Sequence, residues 1–258
     1  MRGIRRLAAA GLVLASLLMP RPGSAGPRAE EDPVRVAAAT NFARAARAIG
    51  AAFEQETGGR VRFSFGATGQ LYAQIVQGAP FEVFLAADSE RPKRAEHGGL
   101  AVQGSRRTYA VGRLVLVGAD RRRVAGPDAL SDPSLRRIAL ANPRTAPYGR
   151  AAVEVMESLG VAEALSGKRI FGNNVAQAHQ FVLTGNAGLG FVALSQTIGR
   201  EDGRSGWKVP EDLHRPIRQQ AVLLEAGRDR PEAMAFLDFL LHSETAGVVL
   251  SRYGYRRD

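Results

Sequence analysis

Four short stretches of this chain gather hydroxyl, amide and glycine residues where a strand-like run gives way to a helix-like one. They are Ala38-Ala39-Thr40-Asn41, Gly66-Ala67-Thr68-Gly69-Gln70, Asn142-Pro143-Arg144-Thr145-Ala146-Pro147-Tyr148-Gly149 and Gly172-Asn173-Asn174-Val175. In open parallel sheets, ligands collect outside the carboxyl ends of the strands. Helix N-termini at that edge present N–H groups without intrahelical acceptors and a partial positive charge, which together suit an anion. No Asp or Glu occurs in any of the four stretches, so a guest held there meets donors and no carboxylate. Each stretch also has a plainer explanation. Thr40, Asn41 and Thr68 are residue types that cap helices, and Gly66 and Gly69 suit a tight turn. The stretches persuade as a set, not one by one.

Catalytic and metal chemistry find less support. The histidines at 97, 179, 214 and 242 lack the spacing of metal ligands and have no cysteine companions. There is no G-x-S-x-G elbow, no phosphate-binding G-x-x-x-x-G-K loop and no G-x-G-x-x-G. The acids are scattered, with no pair suited to general acid and base. The expectation is a binding protein rather than an enzyme, with no cofactor and no bare metal cation.

Positioning those loops requires alternating strands and helices. Residues 34–38 read as a buried strand, after which Phe42, Ala45, Ala46, Ile49 and Phe53 recur at helical spacing until Gly58-Gly59. Residues 60–65 alternate as a second strand, 71–76 are helical, and 81–86 form a third strand after Pro80. Residues 109–117 read as one long apolar strand. Strand 137–141, helices 150–159 and 175–183, and strands 189–193 and 218–224 follow, with two helices closing the chain. Strands joined by helices over such short spans imply right-handed crossovers and parallel sheets, hence an α/β fold.

The chain's beginning and its charge bear on location. Arg2, Arg5 and Arg6 precede an apolar run from Leu7 to Met19 and the small residues Gly23-Ser24-Ala25, the pattern of a secretory signal peptide. That run is shorter than the about 20 apolar residues a spanning helix needs. The remainder of the 258 residues is long enough for two modest domains. With no cysteine, the fold holds without disulfides and no lipid can be attached through a thiol. The formal charge of +10 is spread along the chain, apart from Arg121-Arg122-Arg123, and the export signal argues against nucleic acid as a partner.

Longer stretches carry a family likeness: AAATNF ending at Phe42, FSFGATGQLYAQIVQGAPFEVFLAAD (63–88), NPRTAPYG (142–149), GNNVAQA (172–178), LGFVALSQ (189–196) and FLDFLLHS…RYGY (236–255). On these, from about residue 34 to 255, the chain resembles the periplasmic molybdate-binding proteins of molybdate ABC transporters, in the type II periplasmic-binding family. The resemblance implies a two-lobed α/β fold, each lobe a mainly parallel sheet flanked by helices, the lobes joined by crossing strands. Residues 1–25 are then the signal peptide, 33–111 with 218–258 lobe 1, and 112–217 lobe 2, with crossings near 110–113 and 216–220. It implies that Thr40 and Thr68 hydrogen-bond an oxyanion from the first lobe, and that Tyr148 and Val175 offer backbone N–H groups from the second. Some members place a tyrosine hydroxyl where this chain has Ala193, and Asn41 is expected to supply that missing donor. The ligand implied is molybdate, and with it near-isosteric tungstate, so that molybdenum is held as the oxyanion and not as a cation. Sulfate or another tetrahedral oxyanion is the alternative. The partner implied is an ABC transporter permease in the inner membrane, and the mature chain is expected to be an untethered periplasmic monomer.

Overall fold

The computed structural model describes residues 32–119, 124–199 and 206–257; the expected signal peptide and the Arg121-Arg122-Arg123 run lie outside the described residues. From Asp32 onward the chain is one compact unit. Its first part alternates β1 (Val34–Ala39), α1 (Ala43–Thr57), β2 (Val61–Gly66), α2 (Thr68–Val76), β3 (Val83–Leu85), α3 (Glu90–His97) and β4 (Arg107–Gly112). Its middle comprises β5 (Leu114–Gly118), β6 (Ile138–Ala141), α4 (Pro147–Ser158), β7 (Arg169–Gly172), α5 (Val175–Leu183), β8 (Leu189–Ala193), the short α6 (Leu194–Thr197) and β9 (Trp207–Lys208). β10 (Ile217–Leu223), α7 (Pro231–His242) and α8 (Glu244–Arg252) complete it.

Two five-stranded sheets result, ordered β2-β1-β3-β10-β4 and β7-β6-β8-β5-β9. Four strands of each sheet run one way and one runs against them, β10 in the first and β5 in the second. The reversed strands are the two that follow a change of sheet. β4 ends at Gly112 in the first sheet and β5 begins at Leu114 in the second, so the single long strand expected over 109–117 is two strands parted at Arg113. The chain returns over 209–216, earlier than expected, because Gln219 and Gln220 already pair with β4 on either side of a register shift. At the first crossing the backbone must be bare. A β-carbon on Gly112 would stand 2.1 Å from Tyr148 Oη and 2.6 Å from Gln219 Nε2.

The core follows the apolar periodicity. Ala45, Ala46, Ile49 and Phe53 of α1 are buried, and the helix stops at Gly58, whose φ of +77° favours glycine. The Phe53 ring meets Phe236 and Phe239 of α7 edge-on at centroid distances of 5.4 and 5.5 Å, which fastens the C-terminal helices to the first sheet's helix layer. In the middle part, Leu114, Leu116, Ile138, Leu140, Val155 and Phe191 share one buried cluster. Among the described residues no single helix is long and apolar enough to cross a membrane.

Four elements were not expected from periodicity: α3, β7, β9 and the four-residue α6. α3, with the sequence ERPKRAEH, has little apolar face to read. It starts where Asp88 Oδ1 accepts the Arg91 N–H at 3.1 Å, and a Glu90–Arg94 pair one turn apart supports it. β7 is an edge strand with three of its four residues at least partly exposed, and β9 is only two residues long.

Candidate oxyanion-binding site

Thr40, Asn41, Thr68, Tyr148 and Val175 line one cavity, with Ala39, Gly66, Ala67, Ala87, Ala146 and Pro147 completing its wall. These residues come from the segments that leave the carboxyl ends of β1, β2, β3, β6 and β7, so both sheets contribute. No Asp, Glu, His, Lys or Arg is in the wall. Positive potential comes instead from the helix starts gathered there.

The threonines are not caps. Thr40 is the first residue of a 3-10 turn and Thr68 the first of α2, and the capping positions are Ala39 and Ala67. Ala146 holds the same position at α4, and none of the three alanines supplies a side-chain acceptor. An alanine cap costs a helix about 1 kcal/mol relative to Ser, Thr or Asp, so three helix starts around one cavity forgo that stabilisation and carry no side-chain cap. Pro147 opens α4 without an N–H of its own, which makes Tyr148 the first donor of that helix. At α5, Asn174 Oδ1 accepts from Gln177 N–H at 3.0 Å, and Val175, whose N–H comes one turn too early for an intrahelical acceptor, is among the residues lining the cavity.

Thr68 is 1% exposed, and its Oγ1 accepts the Ala87 N–H at 3.1 Å. With one lone pair so engaged, the side chain still has its hydroxyl proton to donate. Asn41 requires a correction. Its Nδ2 donates to Gln219 Oε1 at 2.8 Å and to Tyr255 Oη at 3.1 Å, so both amide hydrogens point into the protein and do not replace the tyrosine donor missing at Ala193. The reason is local: buried acceptors on β10 and at the C-terminus stand within reach of that amide. Asn41 stays in the wall, where it can offer its main-chain N–H from the first helical turn. Ala193 is fully buried at the start of α6.

The partners of Asn41 belong to a buried network that the sequence did not flag. Tyr109 Oη donates to Gln219 Oε1 at 3.1 Å, Gln219 Nε2 reaches Tyr148 Oη at 3.5 Å, and Ser195 Oγ and Tyr255 Oη each lie 2.7 Å from the Asn41 carbonyl oxygen. Gln219 is completely buried. Its one legible sign was a Gln-Gln pair directly before the apolar end of β10. Burial, the largest cause, pushes the Tyr109, Tyr148 and Tyr255 phenols above their ordinary range. They therefore stay protonated, and no phenolate opposes an anion. Among the described residues, no cluster of three or more His, Asp or Glu side chains is placed to hold a cation.

Two α/β sheets exchanged by two crossing segments, with a neutral, donor-lined pocket fed by both, define the class of two-lobed solute-binding proteins. The chain belongs to the bacterial extracellular solute-binding protein family, whose pattern it matches over residues 34–256. It is similar to the molybdate-binding protein ModA of Rhodobacter capsulatus, 51% identical over 222 residues that cover 86% of this chain and 87% of that protein. Among solved structures, the periplasmic molybdate-binding protein of Azotobacter vinelandii matches with a TM-score of 0.81 at 35% identity, covering 87% of this chain and 99% of that one. The sulfate-binding protein SubI of Mycobacterium tuberculosis H37Rv matches with a TM-score of 0.72 at 13% identity, covering 87% and 86%, a likeness of fold alone.

Proposed function

We propose that the chain captures molybdate, and tungstate with it, outside the cytoplasm and delivers it to an ABC transporter permease. The observation that carries this reading is the convergence of uncapped helix starts and the Thr68 hydroxyl on one wall without a carboxylate. In this reading Thr40 and Thr68 donate through hydroxyls, and Asn41, Tyr148 and Val175 through main-chain N–H groups. Molybdate is a proton-free dianion that accepts hydrogen bonds and donates none. Five donors at about 1.5–3 kcal/mol each outweigh ordering and desolvation costs and leave micromolar or tighter binding. Hydrogenphosphate brings an O–H for which the wall has no carboxylate acceptor, a mismatch of about 1–3 kcal/mol. Sulfate, the alternative cargo, draws support only from a likeness of fold.

The lobe boundaries that accompany this reading are 33–111 with 218–258, and 112–217; the sheet membership of the strands on either side of Arg113 and of 209–216 supports them to within one residue at each crossing, Gly112 and Ile217 both belonging to the first sheet. Donors come from both lobes, so the ligand favours the form in which the lobes meet, which a permease can recognise. We place the mature chain in the periplasm as a monomer with no enzymatic activity; the absence of cysteine leaves no thiol for a lipid. Thermal melting with micromolar molybdate, tungstate, sulfate and phosphate tests the assignment. A ligand that binds only the folded state raises the melting temperature. Molybdate and tungstate are expected to raise it and the other two are not; a shift with sulfate alone would reassign the cargo.

A further inference from the structure

Three contacts join the two lobes along the rim of the cleft. The Gly69 N–H, second in α2 and without an intrahelical acceptor, donates to the Thr145 carbonyl of the opposite lobe at 2.8 Å. The Arg91 guanidinium, held by the Asp88 carboxylate, donates to the Arg144 carbonyl at 3.2 Å. Arg150, on α4, donates to Glu90, at the start of α3, at 3.3 Å. The receiving turn is rigid, with Thr145 and Ala146 N–H groups both bonded to the Asn142 carbonyl at 3.1 and 2.9 Å, and it leads directly into Tyr148. On the other side, Gly69 adjoins Thr68.

Glycine at position 69 answers to this rim and not to backbone conformation, since its φ lies outside the left-handed region. A β-carbon there would stand 3.0 Å from the Thr145 carbonyl oxygen and 3.1 Å from Thr145 Cα. Both are backbone atoms of the opposite lobe, so an alanine at 69 requires the facing turn to give by a few tenths of an ångström. Arg91 would meet that carbon as well, its Nη2 lying 3.0 Å away.

We infer that Gly69, Arg91 and the Glu90–Arg150 pair form a latch that sets how fast a bound oxyanion escapes, acting as positioning residues that do not line the cavity. The inference rests on the oxyanion reading. The pair is partly solvated and contributes little alone; the Gly69 contact dominates because a β-carbon there sits closer to the facing backbone than ordinary van der Waals contact.

The test compares wild type, Gly69→Ala and Arg91→Gln for release of radiolabelled molybdate into excess unlabelled molybdate, with melting of the ligand-free proteins alongside. Gly69→Ala is expected to speed release about tenfold and Arg91→Gln about threefold to tenfold, with association little changed. Ligand-free Gly69→Ala is expected to melt at or above the wild-type temperature, because alanine suits a helix better than glycine. Wild-type release in both variants overturns the latch, as does faster release that only tracks lost ligand-free stability. Failure of the wild-type protein to bind molybdate removes the underlying reading instead, and is recognised before any variant is compared.

Discussion

Replacing Thr68 with alanine deletes one oxygen that serves two partners, and the two losses fall on different measurements. The Ala87 N–H, held at 3.1 Å by Thr68 Oγ1, becomes an unpaired donor beside a side chain that is 1% exposed. That costs the fold about 1–3 kcal/mol, with or without ligand. The proton that the hydroxyl offers the cavity is missed only in the bound state, where a hydrogen bond to a charged acceptor contributes about 1.5–3 kcal/mol. Since about 1.4 kcal/mol is a tenfold change, the molybdate Kd is expected to rise about 10- to 150-fold. Thr68→Ser separates the terms. It keeps the oxygen and gives up a buried methyl, so stability drops by about 1 kcal/mol while Kd stays within about threefold. Titration calorimetry supplies Kd and urea unfolding supplies stability. An alanine variant that is less stable yet binds molybdate like wild type would show that the hydroxyl only pins Ala87, and the donor assignment would fail.

Two further predictions concern the frame around the site. Gly112→Ala places a β-carbon against Tyr148 Oη and Gln219 Nε2, and such overpacking is expected to cost about 1–3 kcal/mol; an unchanged urea midpoint would contradict the packing described at the crossing. The Glu96 carboxyl is held below its ordinary range by the Arg106 hydrogen bond, against opposition from burial and with help from the Gly104 N–H. A depressed carboxylate stabilises the fold above its unfolded pKa of about 4.3, and that stability is lost as pH falls through the lower folded value. The melting temperature is therefore expected to fall as the pH is lowered through about 4, less steeply in Glu96→Gln; parallel curves for the two proteins would refute the assignment.

What the sequence disclosed and what it hid differ in kind. Strands such as 34–39 and 189–193 and the α1 helix were legible because burial imposes a period on residue type. The donor loops were legible because they sit where helices begin. The break at Arg113 was hidden because the runs on either side of it, 109–112 and 114–117, are both apolar: leaving one sheet for another changes the neighbours of a strand and not its composition. Reading Thr40 and Thr68 as caps failed for a related reason, since a threonine at the first helical position and one at the cap look alike until the backbone shows that an alanine precedes each as the cap. The fate of the Asn41 amide depended on Gln219 and Tyr255, 178 and 214 residues away, and no local pattern reports such a meeting.

The same geometry explains why the pocket holds no arginine although the chain is rich in them. A guanidinium in the cavity wall would have to be desolvated when the lobes close and left unpaired whenever the guest departs, a heavy cost for a buried charge. Here Arg91 and Arg150 stand at the rim with Asp88 and Glu90 as partners, while in the proposed function main-chain dipoles and a hydroxyl face inward. Long-range attraction and close contact are thereby assigned to different groups. Tyr148 joins the two: its main-chain N–H opens α4 at the cavity, and its phenol lies against Gly112 and Gln219 where the strands cross. If α4 moves toward a bound oxyanion, as the proposed function implies, the phenol contact at the crossing moves with it, because both belong to Tyr148.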